Sequence, residues 1–88
     1  MSSLPAPTMA EVAIYPLREL EVGPFLLEFV ERLRRPGLRV EPGPMSTLLV
    51  GEAPEVFAAL EAAYAWAAGQ RQVVLRVTVT GSAPERRA

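Results

Sequence analysis

A turn near the middle of the chain, at Pro42-Gly43-Pro44, limits the folds that are open to this sequence. Neither a helix nor a paired strand continues easily through it, because proline lacks a backbone N–H. A short segment rich in strand-forming residues follows from Met45 to Val50, and Gly51 ends it. Pro54 then stands where a helix would begin. Strand and helix patterns precede the turn and helix and strand patterns follow it, which predicts a β-α-β-β-α-β chain.

The half before the turn predicts a strand, a helix and a second strand. The strand Met9–Pro16 alternates, with Ala10, Val12 and Ile14 on one side and Glu11, Ala13 and Tyr15 on the other. After a loop over residues 17–22, Gly23-Pro24 begins a helix that Pro36-Gly37 ends. Its apolar stripe consists of Phe25, Leu26, Phe29, Val30 and Leu33. Leu38–Glu41 is the short second strand.

The half after the turn predicts a third strand over Met45–Val50, a helix over Pro54–Ala68 and a fourth strand over Arg71–Thr80. We expect the core-facing residues of this helix to be Val56, Phe57, Leu60, Ala63, Tyr64 and Ala67. Trp66, Ala59 and Ala62 are expected nearer the opposite face. One row of the fourth strand holds Val73, Leu75, Val77 and Val79, and the other holds Val74, Arg76, Thr78 and Thr80.

These elements predict one domain, an α+β ferredoxin-like βαββαβ sandwich over residues 9–80, between flexible tails at 1–8 and 81–88. The antiparallel sheet has the strand order 4-1-3-2, and both helices cover one face. The open face then carries Glu11, Ala13, Tyr15, Ser46, Leu48, Val50, Arg76, Thr78 and Thr80. Because this face is too apolar to be left in water, we expect it to pack on a second copy in a homodimer or homotetramer.

Composition excludes several functions. The 88 residues include no cysteine, histidine, lysine, aspartate or asparagine. This removes thiol chemistry, the commonest zinc ligands and the usual proton shuttle at neutral pH, so we expect no metal, no cofactor and no enzyme. The net charge of −1 favours neither nucleic acid nor an anionic membrane as a partner. The residue bias fits a thermophile or a GC-rich genome equally. Without a signal peptide or membrane span, we expect a cytoplasmic protein.

A few polar and aromatic residues are candidates for a binding site. Glu11 can accept hydrogen bonds from an amino group of a ligand. Alternatively, it can pair at a subunit interface with Arg76, which we expect across from it on the neighbouring fourth strand. Ser46 and Thr47 can bind a polar ligand or only stabilise the turn. Glu52 can face a ligand or the positive end of the second helix. Tyr15 and Trp66 can stack on an aromatic ligand or simply pack.

The motifs EVAIYPL, GLRVEPGPMSTLLVGE and PEV together resemble the small YkoF-like thiamine-binding domain family. The P-M-[GS]-T…G-E core of that family is present in Pro44, Met45, Thr47, Gly51 and Glu52. The resemblance implies a ferredoxin-like fold, homo-oligomers built through the sheets, and binding of thiamine or its hydroxymethylpyrimidine part without catalysis.

The family's motif positions match Glu11, Ser46, Thr47 and Glu52, which are the predicted ligand-binding residues. Tyr15, Val50, Arg76 and Thr78 are predicted to support the site or the interface. Two residues depart from the family pattern, since Ser46 replaces a glycine and Val50 replaces a glutamate.

The sequence therefore supports two alternative functions of different classes. The first is a non-enzymatic binder of thiamine or a related cationic heterocycle, with its site on the open face at a subunit boundary. The second is an oligomeric structural or regulatory module whose open face serves only assembly. Glu11 and the segment Met45–Thr47 favour the first function, and Val50 favours the second. A small enzyme is a third and weaker reading, because acid–base groups tuned near neutrality are missing.

Overall fold

The computed structural model describes residues 7–18 and 21–81, and within them it contains two helices and four strands in the predicted order. The elements are β1 (Thr8–Pro16), α1 (Gly23–Leu33), β2 (Arg39–Pro42), β3 (Thr47–Gly51), α2 (Ala53–Gln70) and β4 (Val73–Thr80). Except for residues 7, 8 and 81, the predicted flexible tails lie outside the described residues.

The central turn is longer than predicted, so β3 begins at Thr47 rather than at Met45. The backbone N–H of Gly43 donates to the carbonyl oxygen of Ser46 at 2.8 Å, which closes the turn over residues 43–46. A β-carbon on residue 43 would lie 3.0 Å from that same oxygen. Glycine therefore allows the close approach that fixes the backbone of Ser46 at the start of β3.

The four strands form one antiparallel sheet in the order β2-β3-β1-β4, which is the predicted arrangement read from the opposite edge. β1 lies in the interior of the sheet. Its residue Glu11 stands opposite Leu48 of β3 and opposite Thr78 of β4. The ferredoxin-like α+β fold is thereby confirmed.

The core lies between one face of the sheet and the two helices. The inward-facing row of β1 and the apolar stripe of α1 contribute to this core as predicted. Within the stripe, Leu26 and Val30 are only half-buried. Val79 is 40% exposed, although the other three members of its predicted row pack against the core. The buried apolar residues are Ala10, Val12, Ile14, Phe25, Phe29, Leu33, Leu49, Val56, Ala59, Leu60, Ala63 and Ala67.

The prediction for the core-facing side of α2 is partly wrong. Phe57 and Tyr64 are 53% and 45% exposed, whereas Ala59 is fully buried. Trp66 packs against the core, and its ring stacks on Phe25 of α1 with centroids 5.2 Å apart. The reason is that α2 must contact α1 as well as the sheet, and alanines let the two helices approach closely.

Neither of the described helices combines the length and the apolar character that crossing a membrane requires.

Candidate functional site

The open face of the sheet carries a shallow depression of about 200 Å³ over β1. Because side chains alternate along a strand, the residues between the buried Ala10, Val12 and Ile14 point away from the helices. The depression is lined by Glu11, Ala13, Tyr15, Met45, Ser46, Arg76 and Thr78. Two strands, β1 and β4, and the central turn thus converge on one polar surface.

A hydrogen bond joins the two residues of this depression that were predicted to bind a ligand. The hydroxyl of Ser46 donates to Oε2 of Glu11 at 2.9 Å. Glu11 is exposed, and within residues 7–18 and 21–81 no other hydrogen bond to its carboxylate is found. The turn thereby orients the carboxylate and leaves most of its accepting capacity for another molecule.

Arg76 does not stand directly across from Glu11, and in this respect the prediction is wrong. The register places Thr78 opposite Glu11 and places Arg76 opposite Ala13. Arg76 is therefore a diagonal neighbour, and among the described residues no ion pair joins it to Glu11. Both charges nevertheless line the same depression.

The other predicted site residues lie elsewhere. Thr47 is buried, at 7% exposure, and faces the helix layer. Val50 stands between Met9 and Arg39, further along β3. Glu52 is exposed at the N-terminus of α2, at the opposite end of β3 from Ser46, and its side chain makes no capping hydrogen bond. The structure thus gathers Glu11, Tyr15, Ser46, Arg76 and Thr78, and separates them from Thr47, Val50 and Glu52.

The sequence analysis missed a second, larger cleft of about 380 Å³ between α1 and the central turn. It exists because the β1–β3 pairing ends at Val12 and Thr47, while β1 continues to Pro16 beside β4. Apolar side chains dominate its lining, which is Val12, Ala13, Ile14, Gly23, Leu26, Leu27, Phe29, Val30, Pro42, Gly43, Pro44, Met45, Ser46 and Thr47.

Met45 belongs to both depressions and was assigned to a strand by the sequence analysis. It is 84% exposed and lies in the turn that separates the apolar cleft from the polar depression. The position of Met45 directly after Pro-Gly-Pro indicates that it belongs to the turn, because β3 cannot begin until the turn has closed.

Metal binding finds no support in the described part of the chain. It contains no group of three or more histidine, cysteine, aspartate or glutamate side chains that could hold an ion. What the depression offers instead is one carboxylate, two hydroxyls, one phenol and one guanidinium, which can bind and orient a small polar ligand.

Solved structures share this architecture. A hypothetical protein from Methanocaldococcus jannascii is 26% identical, with a TM-score of 0.76 over 92% of this chain and 81% of that chain. A proposed thiamine biosynthesis/salvage protein from Thermotoga maritima is 17% identical, with a TM-score of 0.71 over 83% and 81%. A domain of unknown function from Bacillus cereus is 18% identical, with a TM-score of 0.71 over 85% and 75%.

The remaining comparisons concern the sequence. No match to this chain is found among curated proteins. The sequence profile of the thiamine-binding protein family, in contrast, matches residues 10–84. This range includes both helices, the polar depression and all four strands except the first two residues of β1. The chain therefore belongs to the thiamine-binding protein family.

Proposed function

We propose that this protein binds thiamine or its hydroxymethylpyrimidine part, and that the polar depression on the open face is the site. The observation that carries the proposal is the hydrogen bond from Ser46 to Glu11, which presents a carboxylate in a concave surface of a thiamine-binding family member. Membership in a family of binding proteins indicates a binder rather than an enzyme.

The chemistry of the ligand fits Glu11. An aminopyrimidine presents an exocyclic amino group, and a carboxylate accepts hydrogen bonds from such donors more strongly than a neutral group does. Thiamine adds a cationic thiazolium ring, which the negative charge of Glu11 attracts. The hydroxyl of Ser46 can rotate to donate to a ring nitrogen or to accept from the ligand.

Tyr15 supplies the aromatic surface of the proposed site. Its side chain is 45% exposed and lines the depression beside Ala13, whose small side chain leaves the ring accessible. Offset stacking on a planar heterocycle contributes about 0.5–1.5 kcal/mol beyond the area that it buries. Arg76 adds a positive charge on the β4 side of the depression. Because this charge repels the thiazolium ring, the ring is oriented toward Glu11.

The valine at position 50 does not weaken this proposal. Val50 is paired with Met9 and does not line the depression, whereas Leu48 is the β3 residue opposite Glu11. The missing carboxylate of the family pattern would therefore lie further along the open face, away from Ser46. Its loss changes the far end of this face and leaves the contacts around Glu11 intact.

A second copy completes the proposed site. A depression of about 200 Å³ is smaller than the roughly 300–1,000 Å³ of typical small-molecule pockets. The same face carries the half-buried Leu48 and Val50 and the 45%-exposed Val74, which favour contact with another protein surface. A homodimer or homotetramer that packs sheet on sheet would enclose the ligand between two copies.

Calorimetric titration with thiamine and with hydroxymethylpyrimidine tests the proposal. We expect saturable binding in the wild type and a loss of at least tenfold in affinity in Glu11→Ala. Glu52→Ala is the matched control, since it removes an exposed glutamate from the opposite end of β3, and its affinity should be unchanged. Equal losses in both variants, or an unchanged affinity in Glu11→Ala, would contradict the proposed site.

The shallow depression also favours a second function, an assembly module without a ligand. In that case the open face would serve self-association alone. Absence of binding heat with either compound, together with a dimer or tetramer by light scattering, would favour this function over the first.

A further inference from the structure

The apolar cleft beside α1 lies where the sheet lacks a strand. β3 pairs with β1 only as far as Val12, so among the described residues the last part of β1, from Ala13 to Pro16, has a neighbouring strand on the β4 side alone. An extension of β3 by two residues would place Met45 opposite Ile14, but Met45 belongs to the central turn. This part of β1 is therefore an open edge, although β1 is an interior strand of the sheet.

The pairing pattern directs the backbone N–H and C=O of Ile14 into this gap. The N–H of Leu17 donates to the carbonyl oxygen of Gln72 at 2.9 Å, so these two residues form a hydrogen-bonded pair that continues the β1–β4 register. Hydrogen-bonded and non-hydrogen-bonded pairs alternate along antiparallel strands. Tyr15 and Ala13 therefore bond to β4 through their backbones, whereas Ile14 between them directs its backbone groups away from β4.

These two backbone groups have no partner in the part of the chain that the structure describes. No hydrogen bond to the N–H or the C=O of Ile14 is found there, and Ile14 is only 9% exposed. A donor and an acceptor so largely removed from water are nearly always paired in native proteins, because leaving them unpaired costs free energy. By the same alternation the carbonyl oxygen of Pro16 faces the gap, and its nitrogen carries no hydrogen. The edge therefore has one donor and two acceptors for another molecule.

The apolar cleft is placed to hold a side chain from that molecule. Directly opposed residues of antiparallel strands have their side chains on one face of the sheet, and Ile14 faces the helices. A residue paired with Ile14 would thus direct its side chain under α1, toward Leu26 and Val30. In the described structure no charged side chain lines this space of about 380 Å³, and its mouth is open, since Leu27 is 72% and Met45 84% exposed. An uncharged, apolar side chain therefore fits it.

We propose that the open edge of β1 and the apolar cleft together bind an extended peptide segment by strand addition, with one apolar residue of the peptide in the cleft. That residue exchanges two backbone hydrogen bonds with Ile14, and the residue two positions earlier in the peptide donates to the carbonyl oxygen of Pro16. The main-chain hydrogen bonds supply affinity, and the cleft selects the side chain. This site is separate from the polar depression and does not depend on its ligand.

The ends of the gap limit how much of the peptide can pair. Toward the start of β1, Val12 already pairs with Thr47, so the added strand ends near the residue opposite Ile14. In the other direction β1 ends at Pro16. The paired part of the peptide is therefore the three residues opposite Ile14, Tyr15 and Pro16, and a capped tripeptide is long enough to test the site.

Amide hydrogen exchange of the free protein tests the open edge. We expect the amide of Ile14 to exchange about tenfold or more faster than the amides of Ala10 and Val12, which bond to β3. All three residues are buried in the same row of β1, so burial does not account for such a difference. Equal protection of the Ile14 amide would show that its partner already lies within the protein, and would overturn the proposal.

NMR titration with the uncharged peptide acetyl-alanyl-alanyl-phenylalaninamide tests the binding. We expect saturable shifts of the methyl signals of Leu26 and Val30, because the aromatic ring enters the cleft that they line. The amide of Ile14 should exchange more slowly in the complex. The methyl signal of Thr78, which lines the polar depression and not the cleft, should remain in place. Unshifted methyl signals of Leu26 and Val30 would overturn the proposal.

The same peptide with an N-methyl group on its phenylalanine is the matched control. It keeps the aromatic ring but lacks the N–H that donates to the carbonyl oxygen of Ile14, so its dissociation constant should be about tenfold higher or more. Equal affinities of the two peptides would show that the cleft holds an apolar ring without strand pairing, and would overturn strand addition.

A charge substitution in the cleft provides an independent readout. Val30→Glu puts a carboxylate on a half-buried position of the cleft wall, so the dissociation constant of the unmethylated peptide should rise about tenfold or more. Val74→Glu is the matched control, because Val74 is a 45%-exposed valine of β4 that does not line the cleft, and it should leave the affinity unchanged. Wild-type affinity in both variants would contradict the role of the cleft.

Discussion

The two side-chain rows of β1 lie on one strand and meet different surroundings. Ala10, Val12 and Ile14 are buried under the helices, at 9% exposure or less. Glu11 and Tyr15, which alternate with them, are exposed and line the polar depression. Because both rows share one backbone, the packing of the first row determines where the second row stands. The open face of the sheet is therefore positioned by a core in which its own side chains take no part.

Emptying the core side of β3 should destabilise the protein far more than emptying its open side. Leu49→Ala should lower the free energy of unfolding by about 2–5 kcal/mol, because Leu49 is fully buried and its loss leaves a cavity. Leu48→Ala, on the open side of the same strand, should cost about 1 kcal/mol, because Leu48 is only half-buried. Urea unfolding measures both, and equal losses would mean that the two faces do not differ in burial.

The adjacent hydroxyls of Ser46 and Thr47 should differ in their effect on ligand binding. Ser46→Ala should weaken ligand affinity by about threefold to tenfold, as expected when one hydrogen bond of roughly 0.5–1.5 kcal/mol is lost. Thr47→Val should leave the affinity unchanged, since Thr47 faces the helix layer. Titration calorimetry on both variants checks this, and an affinity that falls in Thr47→Val but not in Ser46→Ala would contradict the open-face site.

An exposed ion pair on α1, which belongs to neither row of β1, should contribute least to stability. Arg32 and Glu28 form an exposed pair on α1 at 2.8 Å, one helical turn apart. Glu28→Ala should cost less than about 0.5 kcal/mol of unfolding free energy and should not affect binding. A larger loss in urea unfolding would indicate that Arg32, which also lies 5.0 Å from the ring centroid of Trp66, depends on Glu28 for its position.

The element order was predictable from the sequence because local signals agree with one another. The alternation of β1, the proline and glycine breakers and the stripe of α1 each specify one element without knowledge of the rest. The open-face position of Glu11 follows from the same alternation, whereas Ser46 lies in the turn before β3. The hydrogen bond between them was not predicted, because it depends on how the central turn closes.

The failures share a physical cause, which is that tertiary contacts decide between locally equivalent choices. Apolar residues occupy most sides of α2, so its periodicity does not show whether Phe57 or Ala59 faces the core. The contact with α1 determines which of the two is buried. Register is also a long-range property, and it places Thr78 rather than Arg76 opposite Glu11. The family motif predicts that Glu52 and Ser46 share one site, although the extended strand β3 separates them.

NMR of methyl groups during titration with thiamine and with hydroxymethylpyrimidine would show which surface of the protein binds the ligand. We predict that the methyl signal of Thr78 shifts in a saturable way, since Thr78 lines the open-face depression and not the apolar cleft. The methyl signals of Leu26 and Val30, which line the apolar cleft, should remain in place. Saturable shifts at Leu26 and Val30 without a shift at Thr78 would contradict the open-face site and would place the ligand under α1.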